Sequence, residues 1–191
     1  MTLVDRVKRI LLQPKQEWEV ISGETTTTAD LYKSYVIPLA AIGPVASIIG
    51  MSIFGMSMPF GPAFRVPLIT AVFSAVVHYV LALVGVYVLA LIVDFLAPTF
   101  SGEKNLGQSL KLAVYSSTAA WVAGVFVIIP MLGVLGILGL YSLYLLYEGI
   151  PVLMKAPREK ALLYTVVAAV AAVVIFVVIG SVGRFLVPHS I

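Results

Sequence analysis

Apolar residues in this chain come in long unbroken runs, with neither the stripe of a soluble helix nor the alternation of a half-buried strand. Ser34 to Met56 carries no charge, and Val66 to Ala97 carries none until Asp94, apart from the titratable His78. Leu112 to Tyr147 is a third run, and a fourth fills 161–187 after Lys155-Ala156-Pro157-Arg158-Glu159-Lys160. A helix needs ~20 apolar residues to cross the hydrocarbon core. The third run is too long for one span, and Pro130 and Gly133 divide it into a tight helical hairpin. The pattern therefore predicts an all-α membrane protein, a bundle of five transmembrane helices at about 34–56, 66–97, 110–130, 133–154 and 161–187. The second span is longer than a ~30 Å core requires at ~1.5 Å per residue, so it must tilt or run on into the interface. Barrel strands would alternate apolar and polar positions, and these runs are apolar all round.

The residues before the first span read differently. Within 2–12, Leu3, Val7, Ile10 and Leu11 fall at helical spacing, with Asp5, Arg6, Lys8 and Arg9 largely opposite. That is the pattern of a short amphipathic helix lying on the membrane surface. Pro14 ends it, and Trp18 suits the headgroup layer. Ser22–Ala29, with four consecutive threonines, reads as a polar linker, and Asp30 is placed to cap the first span. The chain thus divides into 1–33, a cytoplasmic amphipathic helix and linker, and 34–191, the membrane domain. The first thirty residues hold no continuous apolar stretch of signal-peptide type, so the first long run is expected to act as an uncleaved anchor.

Composition and charge sharpen this picture. Hydrophobic residues make up 61% of the 191, charged residues only 11%, and the mean hydropathy is +1.08. A soluble domain carries about 25% charged residues. With the spans placed as above, ten of the twelve Lys and Arg fall on one side and two, Arg65 and Arg184, on the other. The positive-inside rule then predicts a cytoplasmic amino terminus and an external carboxyl terminus. The net charge of +3 comes with no basic run, so no nucleic-acid partner is expected. The partners expected are the lipid bilayer and either another membrane protein or a second copy of the chain. Cysteine is absent, which removes disulfides, thiolate metal sites and a Cys nucleophile.

Helices in lipid associate through small residues that allow close approach. Four stripes fit: Ala40, Gly43, Ser47 and Gly50; Ala113, Ser117, Ala120 and Gly124; Gly133, Gly136 and Gly139; and Ala161, Thr165, Ala168 and Ala172. These are the expected seams of the bundle.

Catalytic patterns are lacking. The sequence contains no phosphate-binding glycine loop, no paired-His metal spacing and no arguable Ser-His-Asp set, so neither enzyme activity nor a cofactor is expected. Polar residues within apolar spans are costly and are therefore the candidates for function. They are His78 in the middle of the second span, Asp94 and Glu148 near the ends of theirs, and the stripe Tyr141, Tyr144, Tyr147. His78 is expected to hydrogen-bond a neighbouring helix, and the two carboxylates to pair with a base such as Lys111 or Lys155. The tyrosine stripe reaches deeper than an interfacial belt, so its hydroxyls should find internal partners, and Trp121 should fill the core. Thioethers at Met51, Met56 and Met58 suit Cu(I), although methionine is more often a gap-filler.

Several stretches together resemble the Yip1 domain family, in its bacterial branch of small five-span inner-membrane proteins. They are Leu12-Gln13-Pro14-Lys15 with Glu17-Trp18, Leu31-Tyr32 before Tyr35-Val36-Ile37-Pro38-Leu39, Phe100-Ser101-Gly102-Glu103-Lys104-Asn105, and Tyr115-Ser116-Ser117-Thr118. The most specific runs from Leu140-Tyr141-Ser142-Leu143-Tyr144 through Leu145-Leu146-Tyr147-Glu148-Gly149-Ile150-Pro151 to Met154-Lys155 and Lys160-Ala161. The family often has proline after the Tyr-Ser-x-Thr stretch, where this chain has Ala119, so a kink there is not expected. The resemblance implies a five-helix domain with a cytoplasmic amino terminus, and it brings no catalytic residues. Eukaryotic members are linked to vesicle trafficking and Rab-type GTPases; the amino-terminal flank here is too short for a folded partner-binding domain. Two functions stay open. One is a non-enzymatic organiser or interaction protein, with Asp94 and Glu148 peripheral. The other is a small transporter, channel or lipid-translocating protein, with His78, Asp94, Glu148 and the tyrosines converging on one cavity at the cytoplasmic side.

Overall fold

A computed structural model describes residues 1–53 and 67–186, and the described secondary structure is entirely helical. Arg65, Met56, Met58 and His189 lie outside the described residues.

Two short helices, α1 (Leu3–Leu12) and α2 (Pro14–Gly23), precede the spans. Thr2 caps α1 by accepting from the Asp5 amide, and Pro14 opens α2, where its missing N–H costs nothing. Among the described residues, four helical stretches are long and apolar enough to cross a membrane: Thr28–Gly50, Leu68–Phe100, Leu106–Ile128 and Leu132–Leu153. A further helix, α10, runs over Arg158–Leu186.

The first stretch comprises α3 (Thr28–Leu31), a π turn (Tyr32–Val36), α4 (Ile37–Ala40) and α5 (Ile42–Ile53). The prolines explain these joints. Pro38 and Pro44 would each drive their ring into the carbonyl four residues back, at Ser34 and Ala40, and the helix widens or breaks beside each of those positions. Thr27, rather than Asp30, caps this stretch: its hydroxyl accepts from the Asp30 amide and donates to the Asp30 carboxylate at 2.6 Å. Asp30 occupies the third helical position, so the threonine before the helix takes the cap.

The second stretch is α6 (Leu68–Leu96), extended by a 3-10 turn (Ala97–Phe100). Two tyrosine hydroxyls tie it to the first, Tyr32 to the Leu83 carbonyl at 2.8 Å and Tyr79 to the Ile37 carbonyl at 2.9 Å.

The third stretch is interrupted at Ser117, between α7 (Leu106–Ser116) and α8 (Thr118–Ala123), although the proline is missing. Three hydroxyls bend the helix in its place. Ser116 and Ser117 bond back to the Ala113 carbonyl and Thr118 to the Tyr115 carbonyl, competing with the backbone ladder. A 3-10 segment (Gly124–Ile128) follows, and Ile129 turns extended before Pro130.

The return leg begins as a second 3-10 segment (Pro130–Leu140) and continues as α9 (Tyr141–Leu153). Gly133, Gly136 and Gly139 recur every third residue, and a 3-10 helix eclipses positions i and i+3. Only part of the expected seam appears here. A Cβ on Gly139 would meet Ala120 at 3.3 Å, whereas Gly133 and Gly136 face open space. The first seam is tight: a Cβ on Gly124 would lie 3.1 Å from the Gly43 Cα, and one on Gly50 would lie 2.7 Å from the Val127 carbonyl oxygen. In α10, Ala161, Thr165 and Ala168 are buried.

Candidate functional site

Most of the large, fully buried side chains gather at one end of the bundle, where α1 and α2 fold onto α7 and α9. This end also carries Lys15, Lys111, Lys155, Arg158 and Lys160. Ile10, Trp18 and Ile21 from the two short helices have no exposed surface, and Leu110, Leu112, Leu145 and Ile150 meet them from the spans. The amino-terminal helices are therefore part of the protein core, and α1 is not simply an interfacial helix.

Trp18 is the central anchor. It is completely buried within the protein, because α9 leaves a slot for it at Gly149. A Cβ there would lie 2.7 Å from the Trp18 ring and 2.5 Å from a Leu112 methyl. Trp18 also meets Tyr115 edge-on at 6.4 Å, and Tyr115 packs on Tyr35 at 4.7 Å. The Tyr35 and Thr118 hydroxyls are 2.9 Å apart. Trp18, Gly149, Tyr115, Tyr35 and Thr118 come from four of the family-like stretches, which converge on one place.

Arg6 points inward, against the expectation that it faces water. Its side chain is 10% exposed, and it pairs with Glu17, whose side chain is 4% exposed, and with Glu24. The guanidinium stands 5.4 Å from the Tyr115 ring centroid, within cation–π range. Burial works against the Arg6 charge, but the hydrogen bond to Glu24 and the nearby carboxylates outweigh it and hold its pKa above the ordinary arginine value. A sequence signal for this exists: Leu3, Arg6 and Ile10 are spaced three and four apart, on one helical face.

Lys111 likewise leaves its expected role. It does not pair with Asp94; its ammonium donates to the carbonyls of Ile21 (3.1 Å) and Glu24. Gln108 adds a bond to the Ser22 carbonyl at 3.1 Å. These carbonyls form the frayed end of α2, where helix dipoles favour a cation. Side chains of α7 thus cap α2 from outside.

Glu148 belongs to the same end. Its side chain is 5% exposed and lies 3.4 Å from Arg158 and 3.9 Å from Lys15, so the base is neither Lys111 nor Lys155. Lys155 pairs with Glu103 at 2.7 Å instead. The loops are stitched beside them, with the Glu103 amide donating to the Met154 carbonyl and Lys160 to the Ser101 hydroxyl.

The remaining candidates scatter. Asp94 accepts from the Ser109 hydroxyl at 3.4 Å, beside Tyr164, whose hydroxyl donates to the Val93 carbonyl. Tyr141 donates to the Leu11 carbonyl at 3.0 Å, so this stripe hydroxyl does find an internal partner. Tyr144 and Tyr147 line an apolar cleft of about 440 Å³ against α10. His78 bonds within its own helix, its Nδ1 lying 2.8 Å from the Ser74 carbonyl rather than reaching a neighbour. It lines a separate cleft of about 390 Å³ with Gly43, Ser47 and Trp121. Among the described residues no group of three or more His, Asp or Glu side chains could hold a metal.

Comparison with known proteins supplies the context. The Yip1 domain family matches residues 8–180. The chain is similar to the inner membrane protein YohC of Escherichia coli, in strain K12 and equally in strain CFT073, with 25% identity over 156 residues and 80% of each chain covered. No solved structure matches it.

Proposed function

The chain belongs to the Yip1 domain family, and from that premise we propose that it is a non-enzymatic organiser or interaction protein acting through its cytoplasmic face. It is a multi-pass inner-membrane protein. We take α10 as a fifth span, with the amino terminus in the cytoplasm and the carboxyl terminus outside. The ten-to-two split of Lys and Arg supports that orientation. The basic end with its α1–α2 clasp then faces the cytoplasm.

The observation that carries this reading is the dispersal of the intramembrane polar residues. A transporter or channel needs His78, Asp94, the tyrosines and Glu148 along one path. His78 and the Tyr144–Tyr147 pair line two different clefts, Asp94 bonds to Ser109, and Glu148 is held in the clasp. The charged groups of the clasp pair with one another and seal helices together, which is a structural use. What remains for partners is the outer surface of the clasp, where Lys8, Arg9, Glu19 and Val20 are exposed.

Purified protein in vesicles should scramble labelled phospholipid and pass ions no faster than protein-free vesicles. In cells, a photo-crosslinker at Val20 should capture either a second copy of the chain or another membrane protein, and one at buried Ile21 should not. Flux that disappears in Asp94→Asn or Glu148→Gln would replace this reading with the transport one.

A further inference from the structure

One apolar cavity borders the clasp. Where α1 meets the spans, a groove of about 670 Å³ opens sideways between Leu11 and Leu12 of α1, Ala123 and Phe126 of the third stretch, and Leu138 and Tyr141 of the fourth. Its volume is that of a small-molecule site, within the usual ~300–1,000 Å³. Its walls are almost wholly apolar, and the Tyr141 hydroxyl at its rim is engaged by the Leu11 carbonyl. It joins α1, which precedes the spans, to two of the membrane-spanning stretches.

The helix above the groove has a second unspent feature. Leu12 is 77% exposed, although Ile10, two residues before it, is fully buried in the core. Lys8, one turn before Leu11 and Leu12, is exposed together with Arg9. Neither forms a salt bridge among the described residues, whereas Arg6, Lys15, Lys155 and Arg158 on the same end all do. Asp5 is the acidic group near them on α1, and it is bonded to the Thr2 hydroxyl. An apolar slot walled by Leu11 and Leu12, with two exposed cations that share only Asp5 about one helical turn back along α1, matches one molecule in both parts: a hydrocarbon chain and a negative headgroup.

We propose that this groove is a binding site for an anionic phospholipid, with one acyl chain between α1 and the helical hairpin and its phosphate at Lys8 and Arg9. The site rests on the clasp reading in one respect, since it requires α1 to be docked. Zwitterionic lipids carry the same chains without the net charge, so headgroup preference separates a built site from ordinary solvation of a greasy crevice.

The test uses the full chain in phosphatidylcholine vesicles doped with phosphatidylglycerol. Spin-labelled forms of either lipid report the fraction immobilised by the protein. Phosphatidylglycerol should be held roughly fivefold in preference to phosphatidylcholine. Lys8→Gln with Arg9→Gln should bring that ratio near one. Leu138→Trp, which fills the groove from an exposed position, should abolish the preference with the charges intact, and Leu12→Ala should weaken it. Equal immobilisation of the two lipids by the unaltered protein would overturn the site. So would a preference that survives Leu138→Trp, or a groove-filling variant that changes the oligomeric mass, which would mean that a second copy covers the groove. Trp18 emission, read in a Trp121→Phe background, tells the two failures apart. Blue emission with no lipid preference removes only the lipid site, whereas red emission removes the docked clasp as well.

Discussion

The basic end and the helical hairpin are built from the same chain by opposite means. At the basic end, every residue of α7 from Ser109 to Ser116 is buried, and the helices are joined by Trp18, by the Arg6–Glu17 pair and by Lys111 on the carbonyls of α2. In the hairpin, Leu132, Val134, Ile137, Leu138 and Leu140 face outward, and contact is made by glycine and alanine backbones. Lipid already satisfies an apolar side chain, so the hairpin gains only what close packing gives. In the proposed topology the clasp lies on the cytoplasmic side, where water competes. There hydrophobic burial drives docking, and the buried charges must be paired or pay a large desolvation cost.

The sharpest way to break this contrast is to orphan a buried charge. Arg6→Met leaves the Glu17 carboxylate buried and unpaired, at a cost of about 3–5 kcal/mol. The amino-terminal helices should then detach, and Trp18 emission should move to the red in a Trp121→Phe background. Adding Glu17→Gln should restore a good part of the blue emission, since the uncompensated charge is gone.

A single methyl group probes both regions. Gly149→Ala forces a Cβ against the Trp18 ring and a Leu112 methyl and should destabilise by about 1–3 kcal/mol, seen as a lower melting temperature in detergent. Gly136→Ala meets open space and should be neutral, or stabilising by up to about 1 kcal/mol. Equal losses at the two positions would erase the distinction between clasp and hairpin.

Two lysines sharpen the clasp itself. Lys111→Met removes the cation from the end of α2 and should cost about 1 kcal/mol. Lys15 is mostly exposed, so Lys15→Met should change the melting temperature by an amount worth less than about 1 kcal/mol, although Lys15 approaches the buried Glu148.

Four of the five expected spans were legible because lipid imposes a length and an apolar composition that the chain displays directly, and the hairpin break follows from Pro130. The seams at Gly43, Gly50 and Gly124 were legible for the same reason, through spacing. The clasp was not. Amphipathicity in α1 and α2 states that one face leaves water, and it reads alike for lipid and for protein. Trp18 fits a headgroup layer and a core slot equally well until Gly149 is brought opposite it. Arg6 shares a face with Ile10, a local signal that was available, yet its partners Glu17 and Glu24 are brought to it only when α2 folds back. Glu148 meets Lys15 on the adjacent α2, a pairing that spacing along one helix does not show. In the third stretch, Ser116, Ser117 and Thr118 supply the bend expected only of proline, since hydroxyls compete for the same carbonyls.

Docking of the clasp in the membrane is open to one direct measurement, because the chain has no native cysteine. Gln108 bonds to the Ser22 carbonyl, whereas Val20 projects outward from the same helix. In native membranes under mild oxidation, Ser22→Cys with Gln108→Cys should form a disulfide efficiently, and Val20→Cys with Gln108→Cys should not. Equal cross-linking of the two pairs, or none in either, would mean that α2 lies free on the membrane surface and that the basic end is not closed by it.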